Sequence, residues 1–516
     1  MSAVESYDAV VIGGGPNGLA AAITLAQHGR GVLLVESAPR LGGAVATEEL
    51  TLPGFRHDVF SSVYPAGIAS PVFAAMELER YGLRWIQPEL AMAHPLPGGR
   101  AAVLARDVEE TVASLDALAP GDGARWHALV APYLRHFGAV RDTMLGGFPP
   151  LTGAAKLLAG LRLGGTLEFA RLLLSSAEGL AGELFHGEGA AWLFGAALHG
   201  DAPLNGAGSA ISGVYLNLLG HAVGWPSPEG GAIRLADALA AKFAALGGTV
   251  RCGVAAAAIE AAYGRVSGVA LADGSRVQAP IVICDTTPHA LLRLAGHAHP
   301  DSYADRLLRF RYGPPTLKLD WALDGPIPWQ APEVRRAGTV HVGGTAQQIR
   351  GALSAVAAGT LPDAPVLLLG QQSVADPTRA PAGKHTAWAY THVPADVDHQ
   401  AGGEVIEAHV ERFAPGFRDR ILARHVLGPA DLERRDSNLV RGDVGGGSYA
   451  LDQLVFRPVP SLDPYATPLA GLHLGSASAF PGGAVHGVPG YAAARSALRG
   501  ARLRRLTSAG RGRSKH

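Results

Sequence analysis

Six residues near the start of the chain, Gly13-Gly14-Gly15-Pro16-Asn17-Gly18, satisfy the spacing G-x-G-x-x-G. Glycines at those intervals permit a tight turn whose backbone N–H groups approach a pyrophosphate, and a helix opening at Pro16 turns its positive end toward the same charge. Glu36 lies 18 residues beyond Gly18, where an acid can accept hydrogen bonds from a ribose hydroxyl pair. The glycine spacing alone is weak. With the β-branched run Tyr7–Ile12 before it, helical spacing over Pro16–His28 after it and the acid at this distance, it specifies a dinucleotide site. Gly13, Gly15, Pro16, Asn17, Gly18 and Glu36 are the first candidate cofactor residues.

Other chemistry is excluded as firmly. Two cysteines, Cys252 and Cys284, stand far apart, so neither a disulfide framework nor a dithiol pair is expected, and a reducing, cytoplasmic setting fits. The 20 histidines are scattered without zinc spacing, and no metal site is expected. Lys plus Arg and Asp plus Glu both total 44, and no nucleic-acid motif occurs. Met1–Asp8 runs straight into a strand and does not read as a signal peptide. Arginine outnumbers lysine 39 to 5, a codon bias of GC-rich bacteria.

The elements that must hold the loop read as strand, turn, helix, strand, ending at Gly31–Glu36. At 516 residues, 48% hydrophobic and 17% charged, the chain is long and oily enough for two or three lobes. The reading is an α/β fold: a Rossmann-type dinucleotide-binding domain with an inserted α+β substrate domain. Its parts are residues 1–74, 225–290 and 464–503 for the nucleotide-binding domain, 75–224 for a largely helical substrate or lid region, 291–463 for the α+β substrate domain, and a flexible basic tail over 504–516. Strands are expected around Val250–Ile259, Val266–Leu271, Ile281–Cys284, Thr316–Trp321, Thr339–Val342 and Val366–Gly370. Ala202–Pro228 and Pro464–Ala494 contain no Asp, Glu, Lys or Arg but are broken by proline and glycine, so they read as buried walls around something flat and neutral rather than spans.

Glu36-Ser37 is followed by Arg40-Leu41-Gly42-Gly43-Ala44. In flavin-binding families a Gly-Gly pair there brings the backbone close to the rest of the cofactor. The stretches YDAVVIGGGPNGLAAA…ESAPRLGGAVATEE (Tyr7–Glu49), Gly54–Pro65, Glu229–Leu239 and Leu451–Gly490 resemble the phytoene-desaturase/carotenoid-isomerase branch of the amine-oxidase-like flavoproteins. The resemblance implies that the nucleotide-binding domain is a Rossmann-type FAD-binding domain (GR2-like flavoprotein) holding non-covalent FAD, with Ser37, Arg40, Gly42, Gly43 and Ala44 completing the first part of its site. It places Val254 at the adenine side and Gly475, Ser476, Gly482, Gly483 and Val485 against the flavin ring and ribityl chain. A linking cysteine beside Ser476 is absent from the sequence. The Ile281–Asp285 strand leads into Thr-Thr-Pro, not a second glycine loop, so electrons are expected to leave to oxygen or a quinone rather than through a resident nicotinamide.

His486, in a turn where relatives carry an apolar residue, reads either as a proton acceptor over the flavin or as a packing residue. Asp58 matches an F-D stretch of desaturase relatives and reads as a group steering a base or as a cap. Arg457 reads as a brace at an inter-domain seam. The Lys156–Leu184 stretch fits core packing or an interfacial surface for peripheral membrane contact. The expected function is dehydrogenation of a C–C bond in a hydrophobic polyene or isoprenoid-like substrate. The alternatives are amine or amino-acid oxidation, redox-neutral cis–trans isomerisation, and a flavin-stabilised interaction protein.

Overall fold

A computed structural model of the chain describes residues 5–512, and side chains as far as residue 501. Its central element is a five-stranded parallel sheet in the order Thr249–Cys252, Val32–Glu36, Ala9–Ile12, Val282–Cys284, Leu472–Leu474. The inner strands are buried on both faces, which is why they read as unbroken apolar runs (AVVI, VLLVE, VIC). Helices Pro16–Gln27, Ile233–Ala245 and Val488–Gly512 pack beside it, so chain segments from the start, middle and end of the sequence build one layer.

A four-stranded sheet carries Glu5–Ser6, Arg276–Gln278, Arg265–Leu271 and Ala256–Ala262. The largest sheet has seven strands in the order Ile421–Leu427, Thr316–Leu323, His385–His392, Leu367–Gly370, Ala337–Val342, Leu90–Leu96, Arg100–Leu104. Its last two strands come from within 75–224, the region read as largely helical. Leu90–Leu96 is buried at every position, and it joins this sheet by parallel pairing with Ala337–Val342. The rest of 75–224 is helical, with Trp126 and Trp192 edge to face at 4.9 Å in its core.

The Val488–Gly512 helix runs past 504 with its first turns docked on the Pro16–Gln27 helix, while 513–516 of the basic tail lies outside the described residues. The helix Leu151–Leu174 has both a packed and an exposed face. Leu157, Phe169 and Leu172 are buried, but Leu163, Leu167 and Leu174 are each at least 60% exposed. No described helix is long and apolar enough to cross a membrane.

Candidate functional site

The phosphate loop is built as its glycines demand. Gly13 has φ +100°, and a Cβ on Gly18 would stand 2.0 Å from the Gly13 carbonyl oxygen, so only hydrogen fits. Gly15 caps the Pro16–Gln27 helix without a side chain, leaving first-turn N–H groups for an anion. Glu36 is 8% exposed. Its Oε2 accepts the Gly14 N–H at 2.7 Å, and its Oε1 accepts the Ala38 N–H at 2.8 Å and the Ser37 hydroxyl at 3.1 Å. Gly43, at φ +52°, lies so close to the loop that a Cβ there would stand 3.1 Å from Gly15 Cα. Arg40 pairs with Glu48 at 2.8 Å near the surface, and Ala44 lines the cavity described below. The Val254 N–H donates to the Glu36 carbonyl at 3.2 Å, setting it beside the acid.

One residue of this half was not singled out from the sequence. Asp285, at the end of the Val282–Cys284 strand, accepts the Gly18 N–H at 2.8 Å on Oδ2, and burial pushes its carboxyl up to about 7. An acid directly after the second buried strand was the available signal.

The other half of the candidate site comes from the C-terminal stretch. Gly475 packs where a Cβ would stand 3.0 Å from Ala493 Cβ and 3.2 Å from Gly490 Cα, which lets the last helix approach the sheet. Ser476 accepts the Ser478 N–H at 3.2 Å. The turn that follows holds Gly482 at φ +116°, Ala484 at +78° and Val485 at +33°, the last two strained for side-chain-bearing residues. Surrounding contacts enforce it. The Gly483 N–H donates to the Tyr449 hydroxyl at 2.9 Å, and the Ser70 hydroxyl donates to the His486 carbonyl at 2.7 Å. Arg457, fully buried, donates to the Gly446 carbonyl at 2.6 Å and lies 5.0 Å over the Tyr449 ring. The Cys284 thiol is packed in the core with Leu472 and Leu474, away from the turn.

His486 is 3% exposed, and burial pulls its pKa down to about 4. Its Nδ1 accepts the Val488 N–H at 3.2 Å while the ring hydrogen-bonds the Gly483 carbonyl. A neutral imidazole has one donor and one acceptor nitrogen, so both are engaged in bracing the turn. Asp58 is fully buried behind the cavity rather than in it. Its Oδ1 accepts the Ala232 N–H at 2.9 Å and the Thr47 hydroxyl at 2.7 Å and pairs with Arg379 at 2.7 Å. It caps the Ile233–Ala245 helix and ties it to Arg379 at the end of the Pro377–Arg379 turn.

Between the turn and the seven-stranded sheet lies a cavity of about 360 Å³. Ala44, Gly483 and Val485 form one side. Ile211, Tyr215 and Leu219 of the charge-free Ser209–Val223 helix form another, and Trp388 and Tyr390 a third. Lys318 reaches its edge, bonded to both Asp320 oxygens and to the Asp58 carbonyl at 3.0 Å.

Residues 11–77 match a family model described as an NAD(P)-binding Rossmann-like domain. The chain is 28% identical to pyridine nucleotide-disulfide oxidoreductase domain-containing protein 2 of Rattus norvegicus, over 96% of this chain and 93% of that one. It is 26% identical to the lycopene-forming phytoene desaturase of Pseudescherichia vulneris, over 95% and 98%. A structure of wild-type putrescine oxidase bound to putrescine superposes with a TM-score of 0.61 at 15% identity, covering 96% of this chain and 99% of that one. Loop, turn, fold and these likenesses together place the chain in the amine-oxidase-like superfamily of FAD-dependent oxidoreductases. Within it, the chain is related along nearly its whole length to pyridine nucleotide-disulfide oxidoreductase domain-containing protein 2.

Proposed function

We propose that the chain dehydrogenates a C–C bond of a lipophilic, polyene- or isoprenoid-like substrate. The observation that carries this reading is the cavity set directly against the Gly483–Val485 turn, walled mainly by Ile211, Leu216, Leu219, Met144 and aromatic rings. FAD bound at this turn supplies a hydride acceptor at N5. The chain's own part is to hold the substrate carbon there and exclude water, which the buried Ser209–Val223 and Leu367–Gly370 walls do. The whole-length likeness to a phytoene desaturase supports this substrate class. Oxygen or a quinone then takes the electrons, and the exposed leucines of Leu151–Leu174 offer a contact through which a lipid phase delivers substrate. The test is anaerobic mixing of the holoprotein with phytoene in liposomes while following flavin absorbance. Bleaching that oxygen or quinone reverses supports the reading; turnover with polar charged substrates but none with lipophilic ones defeats it.

Amine oxidation is the second reading. Trp388 and Tyr390 stack at 6.0 Å centroid distance and 12° in the cavity wall, the aromatic surface such a substrate needs. Peroxide formed with putrescine or another amine, and no bleaching by phytoene, would put it first.

A further inference from the structure

The cavity wall carries one charged pair to which dehydrogenation of a lipophilic substrate has so far given no role. Asp201 lines the cavity, and its Oδ1 accepts the Nε2–H of His392 at 2.7 Å, with side chains only 5% and 16% exposed. Asp201 sits at φ +48°, a left-handed conformation that aspartate tolerates better than most residues, between the Leu198–Gly200 turn and Pro203. Its Oδ2 faces Gly445, where a Cβ would stand 2.9 Å away. Gly445 in turn lies against the flavin turn: its carbonyl oxygen would stand 2.6 Å from a Cβ on Gly483. Asp201 is therefore one backbone thickness from the turn that faces N5.

His392 ends the His385–His392 strand, in register with Thr316 of the neighbouring strand. Burial works to lower its pKa, but the Asp201 carboxylate and a hydrogen bond with the Pro315 carbonyl outweigh burial and hold it above the ordinary value. With acceptors on both sides, the ring is held toward its protonated form. Asp443, Tyr449, His199 and Tyr390 face the pair from the surrounding elements, with Arg457 behind the Tyr449 ring. Asp443 accepts the Gly445 N–H at 2.8 Å. Because Asp201 Oδ1 is already paired with His392, it does not make a free socket for an amine. A carboxyl group buried beside an otherwise apolar cavity needs such a partner.

We propose that Asp201 and His392 are the acid–base pair of the dehydrogenation, Asp201 taking the proton that a substrate carbon loses and His392 positioning the carboxylate. The inference rests on reading the cavity as a dehydrogenation site. At the carbon facing Asp201 the C–H bond breaks heterolytically; its proton goes to the Asp201 carboxylate and its electron pair becomes the new C=C bond. The neighbouring carbon loses hydride to the flavin, the two-electron oxidant, so the substrate gives up two hydrogens and two electrons in all. A proton beside a carbon that is giving up hydride is strongly acidic, so a weakly basic carboxylate suffices. Asp201 returns it to water when the cavity empties.

The test uses holoprotein variants Asp201→Asn and His392→Gln, each checked for full FAD content and an unchanged visible spectrum. With phytoene liposomes, D201N should bleach at least about 100-fold more slowly than wild type. H392Q should bleach at an intermediate rate with the step contributed by the His392 imidazole gone from its pH profile, and D201E should recover part of the rate. Wild-type bleaching by D201N, or an H392Q profile that does not move, overturns the proposal. If phytoene bleaches no variant, wild type included, the desaturation reading fails, and an NMR titration of the His392 imidazole decides the pair by itself. A His392 pKa above the ordinary value in wild type that falls in D201N supports the pair; one that D201N leaves unchanged overturns it.

Discussion

The carboxylate of Asp285 accepts the backbone N–H of Gly18 at 2.8 Å, tying the end of a central strand to the phosphate loop across 267 residues of chain. The bond fixes the loop, yet it sets a buried acid beside the place where a pyrophosphate must lie. Burial pushes this carboxyl up to about 7. An acid whose folded pKa is raised contributes stability that is present at low pH and lost as pH rises through that value. Asp285→Asn keeps an acceptor for Gly18 and removes the titration. The variant should melt close to wild type below about pH 4 and gain on it by roughly 1 kcal/mol per pH unit up to about pH 7, with tighter FAD retention there. Thermal melts across that range check it; a constant difference between the two proteins would show that Asp285 does not titrate there.

Gly18 allows a sharper test of the cofactor loop. A Cβ at this position would stand 2.0 Å from the Gly13 carbonyl oxygen and 3.2 Å from Asp285 Oδ2. Backbone rather than a flexible side chain would have to move. Gly18→Ala should keep its far-UV circular dichroism but weaken FAD binding at least about 100-fold, so that the yellow colour is lost on desalting. Retention of stoichiometric FAD would mean that the cofactor does not depend on this turn.

The two glycine turns and Glu36 were legible in the sequence because their requirement is local: a backbone shape, a spacing and a neighbouring helix. Asp285 and the Tyr449–Gly483 contact were not, because each is made by residues brought together only when the sheet closes. The hairpin Leu90–Leu104 escaped the helical reading of its region for the same reason. Its apolar run fits either state, and pairing with Ala337–Val342 decides it. Asp58 was visible as an acid in a familiar stretch, but its partners Ala232 and Arg379 lie 174 and 321 positions away, so a helix cap and a base-steering group could not be told apart. The Asp201–His392 pair, separated by 191 residues, had no sequence signal at all.

The Leu151–Leu174 helix separates packing from surface within one amphipathic segment. Phe169 is 3% exposed and its ring lies 5.5 Å from that of Tyr133, whereas Leu163 and Leu167 are 67% and 61% exposed. Phe169→Ala should cost about 3–5 kcal/mol through the cavity it leaves. Leu163→Ser with Leu167→Ser should change stability by less than about 0.5 kcal/mol per site. Denaturant melts compare the two directly. A large loss in the double variant would show that the outer face is packed against something in solution, such as a second copy.

His486 gives the turn its shape without giving it a titrating group. Its Nδ1 takes the Val488 N–H at 3.2 Å, next to Val485 at φ +33°, so the ring offsets strain in a turn that lines the cavity. Burial pulls its pKa down to about 4. The folded state therefore binds fewer protons here than the unfolded chain does below about pH 6.5, and the stability that the neutral ring contributes is lost as pH falls toward the lower value. His57, at about 3, and His94, His199, His221 and His409, each at about 4, are lowered chiefly by burial in the same way. Together they should make the melting temperature drop between about pH 6.5 and 4. His486→Ala should weaken FAD binding about tenfold and flatten part of that drop. It should leave the pH profile of anaerobic flavin reduction unchanged between about pH 6 and 8, where a neutral, doubly bonded imidazole has no proton to exchange. A profile that loses a pKa near neutrality in this variant would make His486 a proton carrier rather than a brace.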